Sequence, residues 1–143
     1  MRWQGAIGFL LLLLWACSSS DSTGELEFRN FRATPGKKGF NAALYGVIEN
    51  NTDFPETLRT VTSPAAKVTE IHRTVHTDGI AMMQPVPEGV VIPPHSTFSF
   101  RPGDYHIMLI QLQHSLQVGD SIEVTFSFAR MAPQHLVVPV KWR

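Results

Sequence analysis

The sequence contains a single cysteine, Cys17, among its 143 residues. No disulfide can therefore form within the domain that follows it, and no Cys-x-x-Cys redox pair is present. A blue-copper electron-transfer centre is excluded as well, because that centre needs a cysteine thiolate beside its histidines. Any metal site in the domain must use histidine, methionine or carboxylate ligands.

The chain also lacks an excess of charge and the usual motifs of catalysis. Its 12 basic residues balance its 12 acidic residues, and no basic stripe is visible, which argues against nucleic acid as a partner. We find no Ser/His/Asp set, no motif with paired carboxylates and no glycine-rich phosphate loop. The sequence therefore predicts a protein that is not an enzyme.

No hydrophobic run is long enough to span a membrane. The longest, Ala6 to Trp15, is only half of the ~20 residues that a transmembrane helix needs. It follows Arg2 and ends just before Ala16 and Cys17, an arrangement that resembles a bacterial lipobox. The resemblance implies that Cys17 is lipidated and becomes the mature N-terminus; an ordinary secretory signal cut nearby is the alternative.

This reading divides the chain into three segments. Residues 1–16 are a lipoprotein signal peptide, and the serine-rich residues 17–24 form a flexible tether. Residues 25–143 are long enough for one domain, and no internal repeat divides them. The expected location is the cell envelope, at the periplasmic side of a membrane that holds the lipid anchor.

The pattern of the domain is that of β-strands. Short apolar or alternating segments are separated by turn residues about every ten positions, and no stretch shows a sustained helical period. The Asp78-Gly79 pair predicts a hairpin turn. The pattern predicts an antiparallel β-sandwich with strands beginning near Leu26 and at 42–49, 57–62, 67–76, 80–83, 97–100, 106–112, 121–128 and 136–142, and with a proline-rich connection over 86–94.

Two histidines and two methionines stand out within this pattern. Ten residues separate His72 from Met83, and a further twenty-two precede the His106-Ile107-Met108 run. His106 and Met108 point to the same face of a strand, with Cα atoms ~6.6 Å apart, and the predicted hairpin brings Met83 towards His72. Thioether sulfur is a soft ligand that suits Cu(I). Spacing alone leaves open that the methionines fill the core and that the histidines are ordinary surface residues.

The same region resembles the periplasmic copper chaperone family PCuAC. The similarity covers about residues 25–130, and its most specific part is the order His, ten residues, Met, about twenty-one residues, His-x-Met. The resemblance is carried by Ser63-Pro64-Ala65-Ala66, Val68-Thr69-Glu70-Ile71-His72, Asp78-Gly79-Ile80-Ala81-Met82-Met83 and Pro102-Gly103-Asp104-Tyr105-His106-Ile107-Met108-Leu109.

The resemblance implies a fold, a cargo and a site. The fold is a cupredoxin-like antiparallel β-sandwich with Greek-key connections. The cargo is one Cu(I), held by a His2Met2 set that corresponds here to His72, Met83, His106 and Met108. The family delivers copper to the copper centre of cytochrome oxidase, directly or through partner chaperones, and a carrier of this kind has reason to be a monomer.

The chain departs from the family pattern in a few places. His76 stands where many members have methionine, and it is either an alternate ligand or a surface residue. The C-terminal tail offers only Met131 and His135, which argues against a second copper site. Met82 is predicted to point into the core. The competing function is that of a metal-free envelope lipoprotein that acts as a protein-interaction module, which indifference to copper would reveal.

Overall fold

Ten β-strands make up the part of the chain that the structure describes. The computed structural model describes residues 24–143, so the predicted signal peptide, the lipidation site Cys17 and the tether up to residue 23 lie outside the described residues. The strands are β1 (Leu26–Ala33), β2 (Ala42–Asn50), β3 (Glu56–Thr62), β4 (Ala66–Thr77), β5 (Ile80–Pro85), β6 (Val90–Ile92), β7 (Ser96–Phe100), β8 (Tyr105–Leu112), β9 (Ser121–Phe128) and β10 (Gln134–Pro139).

The strands form two antiparallel sheets that pack face to face. The larger sheet has six strands in the order β1-β2-β8-β4-β5, and β7 pairs with β2 beside β8. The smaller sheet has the order β10-β9-β3-β6. The predicted antiparallel β-sandwich is thus confirmed. Within residues 24–143 there is no helix, and hence none that could cross a membrane.

Aromatic side chains from both sheets fill the core between them. The ring centroids of Phe28 and Phe31, on β1, each lie 5.1 Å from that of Phe126 on β9. Phe126 is fully buried, as are Leu44 and Leu58 in the two sheets. Alternation along β2, where every second residue is buried, directs one face of the larger sheet into this core and leaves the other face outside.

An irregularity in β1 brings Phe31 into the core. The register of β1 on β2 shifts between Arg29 and Arg32, and Asn30 has a φ of 56°. Phe31 then packs over Gly46, where an added Cβ would lie 2.5 Å from the ring, so only glycine leaves room for it.

The structure corrects the prediction for residues 86–94. This segment contains the strand β6, because Val90 and Ile92 are buried against the core and β6 pairs with β3. Its prolines lie outside the three paired residues. The last strand also ends at Pro139 rather than at Trp142. The hairpin turn is confirmed, with φ of 52° at Asp78 and 78° at Gly79, as a type I′ turn requires.

Strand β8 lies at the centre of the larger sheet and has apolar residues on both faces. Ile107 and Leu109 are fully buried on the core side. His106, Met108 and Ile110 belong to the other face. We call this face, which points away from the smaller sheet, the outer face of the larger sheet, and it positions the candidate site.

Candidate metal site

His72 and His106 face each other across two adjacent strands. They are direct cross-strand partners in the pairing of β4 with β8, and their ring centroids lie 6.0 Å apart. With a metal–nitrogen distance of ~2.0 Å each ring centre is about 3.2 Å from the ion, so two rings that share an ion lie at most about 6.4 Å apart. The observed separation therefore fits two imidazoles that share one metal.

The hydrogen bond of His106 fixes which of its nitrogens carries the lone pair. His106 is buried, with 3% of its surface exposed, and its Nδ1 lies 2.9 Å from the backbone oxygen of Asp104. A carbonyl oxygen can only accept, so Nδ1–H must donate. The neutral ring then presents a bare lone pair at Nε2.

His72 is held in the complementary orientation by Glu70. Its Nε2 lies 2.8 Å from Glu70 Oε2, and a carboxylate accepts the hydrogen bond, so Nε2–H donates and the lone pair of the neutral ring lies on Nδ1. A carboxylate that fixes the tautomer and raises the basicity of an imidazole is the usual second partner of a metal-binding histidine.

The second nitrogen of each ring has no hydrogen-bond partner among residues 24–143. His72 Nδ1 and His106 Nε2 are each buried, and neither has a hydrogen-bond partner in the described part of the chain. An unsatisfied buried acceptor costs roughly 1–3 kcal/mol, and here two of them belong to rings that face each other. A cation bound to both lone pairs would remove this penalty, so the pair fits a metal site.

The two predicted thioether ligands lie on either side of the histidine pair. Met108 is two residues beyond His106 on β8, opposite Glu70, and is half-buried. Met83 lies on β5 opposite Thr74, diagonal to His72 at about 7–8 Å in a regular sheet. It is 60% exposed, because β5 is an edge strand. All four predicted ligands therefore belong to the outer face of the larger sheet.

Two further predictions concern neighbours of this set. His76 is exposed near the hairpin turn, four residues from His72 along the strand, or ~13 Å. It can join the site only if the hairpin rearranges. Met82 is 44% exposed, so its prediction as a core residue is wrong. Every residue of the edge strand β5 is exposed.

The sequence reasoning did not identify Glu70 as part of the site. Its place two residues before His72, on the same strand face, is the signal that could have revealed it. Within residues 24–143 there is no group of three histidine, cysteine or acidic side chains arranged to hold a metal ion.

The family of the chain follows from comparison with known proteins. A family model described as "Putative lipoprotein LpqE-like" matches residues 26–140, which is nearly the whole sandwich. The chain belongs to the LpqE-like family.

Two relatives resemble the LpqE-like chain in sequence. It is 35% identical over 99 residues to "Putative lipoprotein Lxx21020" of Leifsonia xyli subsp. xyli (strain CTCB07), covering 69% of this chain and 60% of that protein. It is 31% identical over 88 residues to "Uncharacterized protein RP573" of Rickettsia prowazekii (strain Madrid E), covering 62% of this chain and 49% of that one. The match thus spans about half the length of these relatives.

Solved PCuAC domains share the fold of the LpqE-like domain. The apo PCuAC domain from PmoF1 superposes with a TM-score of 0.68 at 22% identity, covering 83% of this chain and 95% of that one. The copper-bound PCuAC domain from PmoF2 gives 0.66 at 21% identity, covering 83% and 94%. CuI-DR1885 from Deinococcus radiodurans gives 0.63 at 25% identity, covering 88% and 83%. The PCuAC-like sandwich expected from the sequence is confirmed.

Proposed function

We propose that the domain is a copper carrier that binds one Cu(I) through His72 Nδ1, His106 Nε2 and the thioethers of Met83 and Met108. It acts without catalysis in the cell envelope, held to a membrane by the lipid on Cys17. Its acceptor is a copper-binding protein of the envelope, such as the copper centre of cytochrome c oxidase or a partner chaperone.

The main support for the proposal is the hydrogen bonding of His72 and His106. The rings of His72 and His106 lie 6.0 Å apart, and each has one buried nitrogen without a partner among the described residues, while the opposite nitrogen of each ring is engaged by a hydrogen bond. A purely structural histidine pair would be expected to pair both nitrogens, because a buried acceptor without a donor is destabilising. The similar fold of copper-bound PCuAC domains supports copper as the cation.

The donor set favours the reduced ion. Two neutral imidazoles and two thioethers add no charge, so a bound Cu(I) keeps a single positive charge, which the carboxylate of Glu70 at its hydrogen bond to His72 partly balances. Thioethers are soft ligands that suit Cu(I) and are poor ligands for Mg²⁺. The site should therefore bind Cu(I) in preference to hard cations such as Mg²⁺.

Exposure suggests the order in which ligands exchange. Met83 is 60% exposed on the edge strand, whereas His106 is 3% exposed at the floor of the site. A thiolate of an acceptor can reach the ion from the side of Met83 and replace that thioether first. The ion then passes to the acceptor by stepwise exchange, without a change of oxidation state.

The decisive experiment is a titration of the full chain with Cu(I) in competition with a chromophoric chelator. We expect one equivalent to bind, and a His72→Ala/His106→Ala double variant to lose that binding. The matched control is His114→Ala/His135→Ala, which removes two exposed histidines and should bind as the parent does.

The competing function makes the opposite prediction. If the parent binds no Cu(I) above the level of the His72→Ala/His106→Ala variant, the carrier proposal is wrong. The chain would then be a metal-free lipoprotein whose sandwich binds a protein partner.

A further inference from the structure

A groove lined by basic side chains lies beside the histidine pair. Arg32, Arg101, Lys141 and Arg143 line a depression of about 400 Å³ over β1, β2 and β7; we call it the basic groove. Arg101 pairs with Asp104, but none of the other three forms an ion pair with an acid in the described chain. Although the chain has no net charge, four of its basic side chains are therefore clustered in this groove.

The register places the basic groove at the level of the candidate site. On β2, Tyr45 pairs with Arg32 of β1, and the guanidinium of Arg32 lies 4.8 Å from the centre of the Tyr45 ring. The last pair of β2 with β8 is Leu44 with Ile107. The next residues along these antiparallel strands, Tyr45 and His106, therefore lie side by side. Arg32 therefore lies two strand spacings, or about 10 Å, from His106.

The remaining cations gather at the same level from distant parts of the chain. Phe100 pairs with Gly46, which places Arg101 next to the level of Tyr45. The backbone N–H of Lys141 donates to the carbonyl oxygen of Ala33, which sets Lys141 beside the end of β1. These contacts converge on the outer face of the larger sheet, where the candidate ligands lie.

We propose that the basic groove docks an acidic surface of the protein that receives the copper ion, and so holds the acceptor's metal-binding group over His72 and His106. This inference rests on the proposed function. Opposite charges across an interface accelerate encounter and fix orientation. Acidic groups in contact with the groove lie well within the screening length of ~8 Å at physiological salt. Because the groove is about 10 Å from His106, a partner held there has its neighbouring residues close to the site.

A protein surface fits the basic groove better than a lipid surface does. The groove is a concave depression and offers no large exposed apolar side chain of its own. The described chain begins at the other end of β1, where Glu25, Glu27 and Asp53 are exposed. Glu27 pairs with Arg29 and Asp53 with His95, so this end has no excess of positive charge to attract anionic lipid. A lipid anchor before residue 24 would therefore bring an acidic end of the domain towards the membrane.

Binding to the metal-free chain tests the docking surface separately from copper. The probe is a fluorescent peptide that carries a Cys-Gly-Gly-Cys acceptor flanked by glutamates, and its twin has glutamine at each of those positions. By anisotropy, we expect the full chain to bind the acidic peptide about tenfold more tightly than its twin at low salt, and to lose this preference in concentrated NaCl.

Substitutions in the basic groove test whether it is the source of the preference for the acidic peptide. We expect Arg32→Gln/Lys141→Gln to remove most of the preference for the acidic peptide. The matched control, Lys38→Gln/Lys67→Gln, removes two exposed lysines elsewhere and should keep it. Arg101 is left intact because its partner Asp104 also holds His106. Equal effects of the two variants, or equal binding of the two peptides, would overturn the proposal.

Two further measurements separate the remaining outcomes. If Arg32→Gln/Lys141→Gln weakens binding to vesicles with one-third phosphatidylglycerol but leaves peptide binding unchanged, the groove contacts lipid and the proposal is wrong. In stopped-flow transfer from the Cu(I)-loaded chain, the same variant should slow delivery to the acidic peptide about tenfold and leave delivery to the twin unchanged. A chain that binds the acidic peptide but no Cu(I) refutes the proposed function alone.

Discussion

At the scale of single residues, the candidate site is defined by which atom of each histidine is free. The resemblance to the PCuAC pattern predicts the four ligands but not the tautomers of the two histidines, because the tautomers depend on Glu70 Oε2 and on the backbone oxygen of Asp104. Both acceptors lie two positions before the histidine they hold. Alternation along β4 is enough to suggest that the Glu70 carboxylate contacts His72. The contact of His106 with the carbonyl oxygen of Asp104 cannot be predicted in this way, because it depends on the conformation of the turn before β8.

Glu70 provides a prediction at this scale. Glu70→Ala leaves the Nε2–H of His72 without its acceptor and frees the ring to rotate or change tautomer, so we expect Cu(I) affinity to fall about 10–100-fold. Glu70→Gln keeps an oxygen that can accept the hydrogen bond and should retain more of the affinity. Chelator competition measures the affinities, and ¹⁵N chemical shifts of the His72 ring report the tautomer.

The control for this series is Glu88→Ala, which removes an exposed carboxylate from another part of the chain. It should leave both the affinity and the His72 shifts unchanged. Unaltered Cu(I) affinity in Glu70→Ala would mean that the carboxylate has no part in positioning the imidazole.

At the scale of strands, local pattern predicts most elements and non-local pairing explains the exceptions. The strands, the Asp78-Gly79 turn and the face shared by His106 and Met108 follow from alternation and turn residues. The strand β6 was missed because its three residues are held by pairing with β3, which no local pattern reveals. The direct pairing of His72 with His106 likewise depends on β4 lying next to β8, two strands that are distant in sequence.

Strand β5 yields a prediction that depends on its two faces. Met83 and Met82 are adjacent, both exposed, and belong to opposite faces of an edge strand. Met83→Ala removes a ligand and should weaken Cu(I) binding by about tenfold or more, or at least ~1.4 kcal/mol. Met82→Ala removes an equal side chain from the other face and should bind Cu(I) as the parent does.

Stability distinguishes a lost ligand from a disturbed fold. Because both methionines are exposed, each substitution should change the free energy of unfolding by no more than about 0.5 kcal/mol, as measured by urea denaturation of the metal-free chain. Equal loss of Cu(I) affinity in the two variants would show that the hairpin, rather than the thioether of Met83, supports the site.

At the scale of the whole molecule, the two faces of the larger sheet have separate tasks. The inner face packs against the smaller sheet and contributes the fully buried Leu44, Ile107 and Leu109. The outer face carries the histidine pair and the basic groove. The sequence shows no run of basic residues along the chain. The groove could not be predicted, since its cations come from three separate segments that only the fold brings together.

This separation predicts how metal ions change thermal stability. A ligand that binds only the folded chain stabilises it by about 2.7 kcal/mol at a free concentration of one hundred times its Kd, and at roughly 2–8 °C per kcal/mol Cu(I) should raise the Tm of the parent by several degrees. Mg²⁺ at the same concentration should produce no shift, because it does not bind thioethers. His72→Ala/His106→Ala should keep a folded core, since the pair lies outside it, yet show no shift with Cu(I). A Tm that rises equally in that variant would place the bound copper elsewhere on the chain.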